Sequence, residues 1–428
     1  MQEAETTTCC IVGGGPAGMM LALLLAREGV RVTVLEKHAD FLRDFRGDTI
    51  HPSTIELIDQ LGFLDDLERI PHETVGRLCG DVNGRWVEVA DFSALRRRHR
   101  LIYMMPQWDF LELLARKAAR CPSFELKTSS EVVDLWMEGG RVVGVVHRSN
   151  GLTKRLRADL TVACDGRGSI VRVRRGARPI DLGAPMDVLW LRIPRREGDP
   201  DMSFGIVRPG RMLVLIQRAS YWQAGALIPK GDHERVQADG IERFRAMLAE
   251  MAPFVGDGRL EALSSFDDVK VLSVQVNHLL RWFYPGLLFL GDAAHAMSPI
   301  GGVGINLAIQ DAVAAANVLT RPLLDRRVDM LDLARIQARR APPAAATQLA
   351  QLAVQRRVIR RVLAGELVRP PTWLPWLLSR RPMRALIARA IGVGLLPERW
   401  RGARARADGP AVAPTASRRR GPLRHEQR

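Results

Sequence analysis

The chain has five cysteines, no long uncharged apolar run, and no lysine at all over its last quarter. Each shortage excludes something. No stretch reaches the roughly 18 uncharged apolar residues of a membrane-crossing helix, so none reads as a span. Cys9, Cys10, Cys79, Cys121 and Cys164 show no metal-ligand spacing, and several fall in apolar, strand-like runs. They read as buried free thiols in a reducing cytoplasm. The acidic start runs straight into the first strand, so no signal peptide is expected. Residues 333–428 hold 21 arginines, no lysine and four acids. The whole chain carries +16, so its first 332 residues sum to about −1. A near-neutral body with a basic tail disfavours nucleic-acid binding as the main function.

The strongest pattern lies in the first forty residues, TTTCCIVGGGPAGMMLALLLAREGVRVTVLEK. Thr6–Val12 is a β-branched, apolar run that reads as a strand. Gly13, Gly15 and Gly18 form G-x-G-x-x-G, and Pro16–Glu28 has the apolar density of a buried helix ended by Gly29. Arg31–Leu35 returns as a second strand with Glu36 at its tip. Glycines let the backbone turn tightly and approach a pyrophosphate, which sits on the positive end of the helix. Glu36, 21 positions after Gly15, is placed to accept hydrogen bonds from a ribose. Strand, helix, strand and acid agree on dinucleotide binding.

At 428 residues the chain suits two or three domains, or one α/β core with a smaller lobe. A loop with Arg43 and Arg46 follows Glu36; such cations can meet phosphate oxygens. Ser53–Leu61 reads as a helix, a hairpin is expected around Val82–Val89, and RRRHR at 96–100 reads as an exposed turn. Gln107–Ala119 is a helix with one apolar face. Phe124–Ser129 and Leu156–Cys164 read as strands, and Glu131–Met137 pairs with Arg141–Arg148 across Glu138-Gly139-Gly140. From Pro179 the pattern changes to DVLWLRIP, SFGIVRPG, RMLVLIQRA and YWQAGALIP, successive strands of a mostly antiparallel sheet outside the nucleotide fold. His233–Met251 is a helix, and Val269–Val276 returns to the core. A last core strand, Gly286–Leu290, precedes a helix over Ile305–Thr320. Beyond Arg321 helical stretches are expected to break at prolines 342, 343, 370, 371, 375, 382 and 397. The end, 403–428, lacks an apolar period and reads as disordered.

Two further motifs stand at strand ends. CDGRGSIVR, Cys164–Arg172, is a strand ending in Asp-Gly, with a serine able to cap the next helix. GDAAHAMSPIGGVGIN, Gly291–Asn306, delivers Asp292 to the carboxyl edge of the sheet, where α/β ligands bind. Gly301, Gly302 and Gly304 then open backbone N–H groups towards an acceptor.

In this order the three motifs resemble the single-component FAD-dependent aromatic hydroxylases, the para-hydroxybenzoate hydroxylase-like flavin monooxygenases. The resemblance covers about residues 7–322. It implies an α/β fold: a Rossmann-like FAD-binding domain, an inserted and mostly antiparallel β-sheet substrate domain, and a helical C-terminal segment. The corresponding boundaries are 1–178 and 276–322 for FAD binding, 179–275 for the substrate sheet, 323–402 for the basic helical segment and 403–428 for the tail. The resemblance implies that Gly13, Gly15, Pro16, Ala17, Gly18, Glu36 and Lys37 hold the ADP half of a non-covalent FAD. Arg46 and Gln107 match further FAD contacts. Asp165 matches an Asp-Gly motif that contacts FAD and is linked to NAD(P)H use. Asp292 matches the acid on the ribityl chain, while Pro299, Gly301, Gly302, Gly304 and Asn306 match the loop lining the flavin ring. The family's NAD(P)H has no Rossmann domain of its own, and no second G-x-G-x-x-G follows a strand here. Two departures stand out: a basic, proline-broken helical tail replaces a thioredoxin-like C-terminal domain, and GALIPK at 225–230 lacks the tryptophans of the halogenase W-x-W-x-I-P signature.

The expected reaction is transfer of one oxygen atom from O₂, through a flavin hydroperoxide, to an electron-rich aromatic small molecule, with NAD(P)H as electron donor. The protein shields the reactive flavin and positions the ring, so no triad or metal is needed. Candidate substrate contacts are Trp190, Phe204, Met212, Gln217, Tyr221 and Trp222. The alternatives are a flavin reductase or dehydrogenase of an apolar lipid, and a non-catalytic flavoprotein. The stretches 353–363 and 373–396 pair apolar stripes with arginines. That suits either peripheral contact with an anionic membrane or packing on the FAD domain, and packing is favoured.

Overall fold

Two large sheets and the helices around them dominate the residues that the computed structural model describes, 4–42, 49–367 and 380–402. The chain opens with β1 (Glu5–Val12), α1 (Pro16–Arg27) and β2 (Val32–Leu35). It continues through α2 (Pro52–Gln60), the hairpin β3 (Arg77–Val82) and β4 (Arg85–Asp91), α3 (Gln107–Ala118) and β5 (Phe124–Lys127). A second hairpin, β6 (Ser130–Glu138) and β7 (Arg141–Ser149), leads into the long strand β8 (Leu152–Ala163) and the short helix α4 (Ile170–Arg175). Then come β9 (Met186–Pro194), β10 (Phe204–Arg208), β11 (Arg211–Gln217), β12 (Tyr221–Pro229), α5 (Ile241–Met251), β13 (Lys270–Leu272) and β14 (Leu287–Phe289). Three helices complete the order: α6 (Gly304–Leu324), α7 (Met330–Val354) and α8 (Arg381–Gly392).

The first sheet has a parallel core, β14–β8–β1–β2–β5, with the β6–β7 hairpin antiparallel on β8. β1 lies between two parallel neighbours and is buried from Thr7 onward, which is why it reads as one apolar run. α1 is buried from Ala17 to Ala26 because it packs between this sheet and α6. Truncating one of its sealed leucines, as in Leu24→Ala, costs about 2–5 kcal/mol. The apolar stretch Ile300–Leu324 is long enough to cross a membrane by composition, yet it is mostly buried inside the protein as a core helix.

The second sheet runs β13–β9–β12–β11–β10–β3–β4, antiparallel except where β3 lies parallel to β10. The hairpin expected around Val82–Val89 is present, turned at Asn83 (φ 52°) and Gly84 (φ 80°), two positive values that match the twist of paired strands. It belongs to this second sheet, through Cys79 opposite Phe204 and Val82 opposite Val207. The helix expected over 233–251 is two helices, because Gly240 turns the chain at φ 91°. The prolines at 342 and 343 do not break α7. Side chains on both sides of them are pinned in the core, with Arg340, Ala344 and Gln348 buried.

The basic stretch beyond α7 packs rather than standing free. A π-turn, Gln355–Ile359, carries the helix on to Leu363, and Ile359 and Val362 are buried. In α8, Ala388 and Gly392 are buried against the β4 region, where a Cβ on Gly392 would touch the Phe92 ring at 3.1 Å. RRRHR is partly tied down, with Arg98 and His99 on Asp59 of α2 at 2.8 and 3.0 Å. Arg43, Arg46, Trp373, Trp376 and the tail 403–428 lie outside the described residues.

Candidate active site

The glycines of the first motif divide into two roles. Gly13 has φ 100°, and a Cβ there would sit 2.5 Å from the Cys164 carbonyl oxygen. A Cβ on Gly18 would fall 2.1 Å from the Gly13 oxygen. Both positions are therefore dictated by close strand–helix packing. At Gly15 a Cβ would meet nothing within 4 Å, so the turn presents backbone to open space. α1 starts there with Pro16 in its first turn and no side-chain cap, leaving its N-terminal N–H groups and dipole available to an anion. Ala17 is buried behind them. Glu36, 2% exposed, accepts from the Gly14 N–H at 2.8 Å and the His38 N–H at 3.0 Å, fixing its carboxylate at the β2 tip. Lys37 is exposed beside it.

The three motifs meet. Gly13 touches the end of β8, and a Cβ on Gly291 would reach the Ala17 methyl at 3.3 Å. Ser169 caps α4 by accepting from the Arg172 N–H at 3.1 Å. Asp165 accepts from the Val171 N–H at 3.1 Å through Oδ2, while its Oδ1 is buried with no partner among the described residues. Burial holds this carboxyl above its ordinary range. Asp292 is half-buried and is not alone: Arg167 Nε donates to its Oδ2 at 2.9 Å, and Arg167 Nη2 donates to the Met297 carbonyl at 3.3 Å. Sequence reasoning passed over Arg167. The signal was a cation inside CDGRGSIVR, between the acid and the helix cap.

The loop after Asp292 is held from two sides. Gly301 and Gly302 take φ values of 76° and 63°, and a Cβ on Gly302 would strike Thr49 Oγ1 at 2.7 Å. Thr49 Oγ1 donates to the Gly302 carbonyl at 2.9 Å. The fully buried His51 lies between the Ile391 and Gly302 carbonyls, with Nδ1 2.9 Å from one and Nε2 3.0 Å from the other; burial pushes its pKa down to about 4, so the neutral ring donates its single N–H to one of the two. Asn306 accepts from Ser53 Oγ and Thr54 Oγ1 of α2 at 2.7 and 3.0 Å. Pro299 and Gly304 bracket the turn, and the half-buried Gln107 opens α3.

From the other side come three buried glutamines that the sequence reading missed. Gln348 Nε2 donates to the Asn277 and Ala296 carbonyls at 2.8 and 3.0 Å. Gln351 accepts from the Ser298 N–H at 3.2 Å and donates to the Ser298 and Ile300 carbonyls at 3.0 and 2.8 Å. Gln355 donates to Ser298 Oγ at 2.7 Å. Behind the loop, Asp311 on α6 receives His295 Nε2 at 2.6 Å and Arg340 Nε at 3.0 Å, all buried. These hydrogen bonds and charge interactions with His295 and Arg340 hold the Asp311 carboxyl below its usual range despite its burial.

Strand alternation sorts the candidate substrate contacts. Trp190 and Met212 share one apolar cluster with Val214 and with Ile300 of the loop, and Tyr221 lies on that same face. Tyr221 packs under Arg192, whose guanidinium is 4.9 Å from the ring. Phe204, Gln217 and Trp222 point to the opposite face. Trp222 is sealed among Phe204 and Phe254 with its Nε1 donating to Asp199 at 2.9 Å, and Gln217 Nε2 donates to Asp201 at 2.8 Å. Those three belong to the core beneath the sheet, not to the loop side.

A nucleotide-binding α/β core with an acid at the β8 end, an acid after β14 and a glycine loop facing a second sheet defines an FAD-binding oxidoreductase. Residues 5–350 match the FAD binding domain family FAD_binding_3, and the chain belongs to this family of FAD-dependent, aromatic-hydroxylase-like monooxygenases. It is 34% identical over 384 residues to 6-methylpretetramide 4-monooxygenase of Streptomyces rimosus, covering 88% of this chain and 90% of that protein. Rifampicin monooxygenase of Streptomyces venezuelae is 30% identical over 311 residues, which is 69% of this chain but only 60% of that protein. The anhydrotetracycline hydroxylase OxyS of Streptomyces rimosus shares the fold at a TM-score of 0.70 and 24% identity, over 93% of this chain and 78% of that one.

Proposed function

We propose that the chain consumes NAD(P)H and O₂ to place one oxygen atom on an electron-rich aromatic small molecule. The supporting observation is the meeting of the three motifs at the ends of β1, β8 and β14, with Ile300 of the glycine loop packed on the same apolar cluster as Trp190, Met212 and Val214 of the second sheet. The unpartnered Asp165 Oδ1, the open backbone at Gly15 and the uncapped start of α1 fit FAD. When bound, FAD supplies electron transfer and oxygen activation. The turn at Gly13, Gly15 and Gly18, with Pro16 and Ala17, receives the pyrophosphate on the α1 dipole. Glu36 serves the adenosine ribose, with Lys37 alongside; Arg46 and Gln107 complete that end. Asp165 and Asp292 accept hydroxyl hydrogen bonds along the chain between the phosphates and the ring. Pro299, Gly301, Gly302, Gly304 and Asn306 form the seat of the ring, kept in shape by the glutamines and His51. Trp190, Met212 and Tyr221 face the substrate.

We read 353–363 and 381–396 as packing segments, because Ile359, Val362 and Ala388 are buried, while Arg356, Arg357, Arg360, Arg361 and Arg389 are exposed together with Val354, Val358, Leu386, Leu395 and Leu396. The purified protein is yellow, and denaturation releases FAD. NADH or NADPH oxidation rises when an aromatic ligand is added, with less hydrogen peroxide formed per nicotinamide consumed. Release of FMN, which lacks the ribose that Glu36 is placed for, overturns this reading.

A further inference from the structure

Between the second sheet and the helical stretch after α7 lies a cavity that the reaction described so far does not use. Its volume is about 440 Å³, within the range of small-molecule sites. One wall is the segment Leu182–Pro185 with Pro229 at the end of β12. That wall is pinned at both ends: the Leu182 N–H donates to the Val276 carbonyl at 2.8 Å, and the Pro185 carbonyl accepts from the Lys230 N–H at 3.1 Å. The other wall is one helical stripe, Leu352, Gln355, Arg356, Arg360 and Leu363. It runs through the π-turn at Gln355–Ile359, a rare helical irregularity that is frequent at functional sites. Leu182, Leu352 and Leu363 belong to the apolar cluster that also holds Ile300, so the cavity adjoins the glycine loop.

Two kinds of polar group line it. Gln355 is fully buried; its Nε2 donates to Ser298 Oγ of the loop at 2.7 Å, and its Oε1 has no partner among the described residues. A buried carbonyl oxygen in that state favours any ligand that brings it a donor. Arg356 and Arg360 are exposed and stand at the mouth. Neither is paired with an acid among the described residues, whereas Arg361 beside them is tied to Glu366 at 2.6 Å. Two unpaired guanidinium groups about one helical turn apart suit a pair of linked phosphates, which they can grip through parallel N–H donors. An occupant that satisfies the whole cavity carries a hydrogen-bond donor at its buried end and a diphosphate at its wet end.

We propose that this cavity is the docking site of NADH or NADPH, with the nicotinamide carboxamide donating to Gln355 Oε1 and the pyrophosphate held between Arg356 and Arg360. The inference rests on the monooxygenase reading above. It also accounts for the single G-x-G-x-x-G of the chain: side-chain cations, rather than a second glycine turn and helix N-terminus, hold the nicotinamide dinucleotide. Gln355 touches the glycine loop through Ser298, so the same amide that receives the carboxamide also fixes the loop beside it.

The test uses the full FAD-loaded chain. Calorimetry gives the Kd of 1,4,5,6-tetrahydro-NADH and of its 2′-phosphate, unreactive analogues of the reduced dinucleotides. Anaerobic stopped-flow mixing gives the NADH or NADPH concentration for half-maximal flavin reduction. The double change Arg356→Gln and Arg360→Gln raises both values at least tenfold and leaves FAD content and melting temperature unchanged. It also flattens their dependence on salt, because exposed charges are screened. Arg357→Gln, equally exposed but outside the cavity, changes neither value by more than twofold. Should the double variant lose FAD, the two single variants are read instead, with the same order at smaller size. The 3-acetylpyridine analogue of the reduced dinucleotide has no carboxamide N–H. It half-saturates several-fold later than the natural dinucleotide in wild type, and Gln355→Leu abolishes that difference. Equal effects of Arg357→Gln and of the double change, no effect of either, no binding of the unreactive analogues by wild type, or an acetylpyridine difference that survives Gln355→Leu overturns the inference. Analogue binding through the two arginines without flavin reduction would overturn the monooxygenase reading and leave the site standing; unaltered reduction and oxygen incorporation in the double variant do the reverse.

Discussion

Replacing Gln351 by leucine separates a helix that merely packs from one that sets the shape of the glycine loop after Asp292. Gln351 is 5% exposed, and leucine is close to it in volume, so the apolar packing of α7 survives. What disappears is a set of three hydrogen bonds to the backbone of Ser298 and Ile300. The Ser298 N–H is left buried without an acceptor, and two carbonyls each lose one donor. An unsatisfied buried group costs about 1–3 kcal/mol, and a carbonyl that keeps a second lone pair loses less, so the net falls at about 3 kcal/mol. If that energy bears on the loop conformation that receives FAD, the Kd for FAD rises on the order of 100-fold, at about 1.4 kcal/mol per tenfold. Titration of apoprotein with FAD, followed by fluorescence quenching, reads it directly. Leu349→Ala, on the exposed side of the same helix, should change stability by under about 0.5 kcal/mol. A Gln351→Leu protein that melts lower yet binds FAD within twofold of wild type would assign the glutamine to general stability. One unchanged in both would mean that the glutamines do not hold the loop at all.

On the proposed role of Asp292 as acceptor for the ribityl hydroxyls, Asp292→Ala should lower FAD affinity tenfold or more, and Arg167 loses its acceptor as well. Asp268→Ala, which removes an exposed cap on Ser264 and Ser265, should cost about 1 kcal/mol of stability and leave FAD binding alone; equal FAD losses would make Asp292 an ordinary surface acid. His51 stays neutral in the folded protein down to about pH 4, while an unfolded histidine takes its proton near 6.5. Stability is therefore complete above about 6.5 and falls with pH towards 4. Between pH 7 and 5 wild type should lose about 2 kcal/mol more than His51→Gln in urea unfolding; parallel pH profiles would remove His51 from the account. Glu36→Ala should free the Gly14 and His38 N–H groups and weaken FAD far more than FMN; equal weakening of the two would detach Glu36 from the adenosine.

The opening βαβ unit was legible because its signals are local: a glycine turn, a helix buried on all sides and an acid at a strand tip agree within forty residues. The four strands from 186 to 229 were legible through their period of two. Period alone groups Trp222 with Ala224 and Trp190 with Val188 but does not say which set looks at the loop, and half of the substrate candidates lie on the face turned away from it. The 77–91 hairpin joins β10 across more than a hundred residues, and no local feature announces such a pairing. The glutamines at 348, 351 and 355 share one helix face, a spacing that reads equally well as a solvated stripe until the loop is seen to lie against it. Arg167 was hidden for a related reason: an arginine in a polar turn becomes informative only when Asp292, 125 residues on, is brought to 2.9 Å.

The central claim is that this protein transfers oxygen from O₂ to an aromatic ring. Turnover of a phenol with NADH or NADPH under ¹⁸O₂, followed by mass spectrometry, tests it directly. The account predicts one ¹⁸O atom in each molecule of hydroxylated product and none when the label is in the water; a product that is reduced or dehydrogenated without ¹⁸O would contradict it.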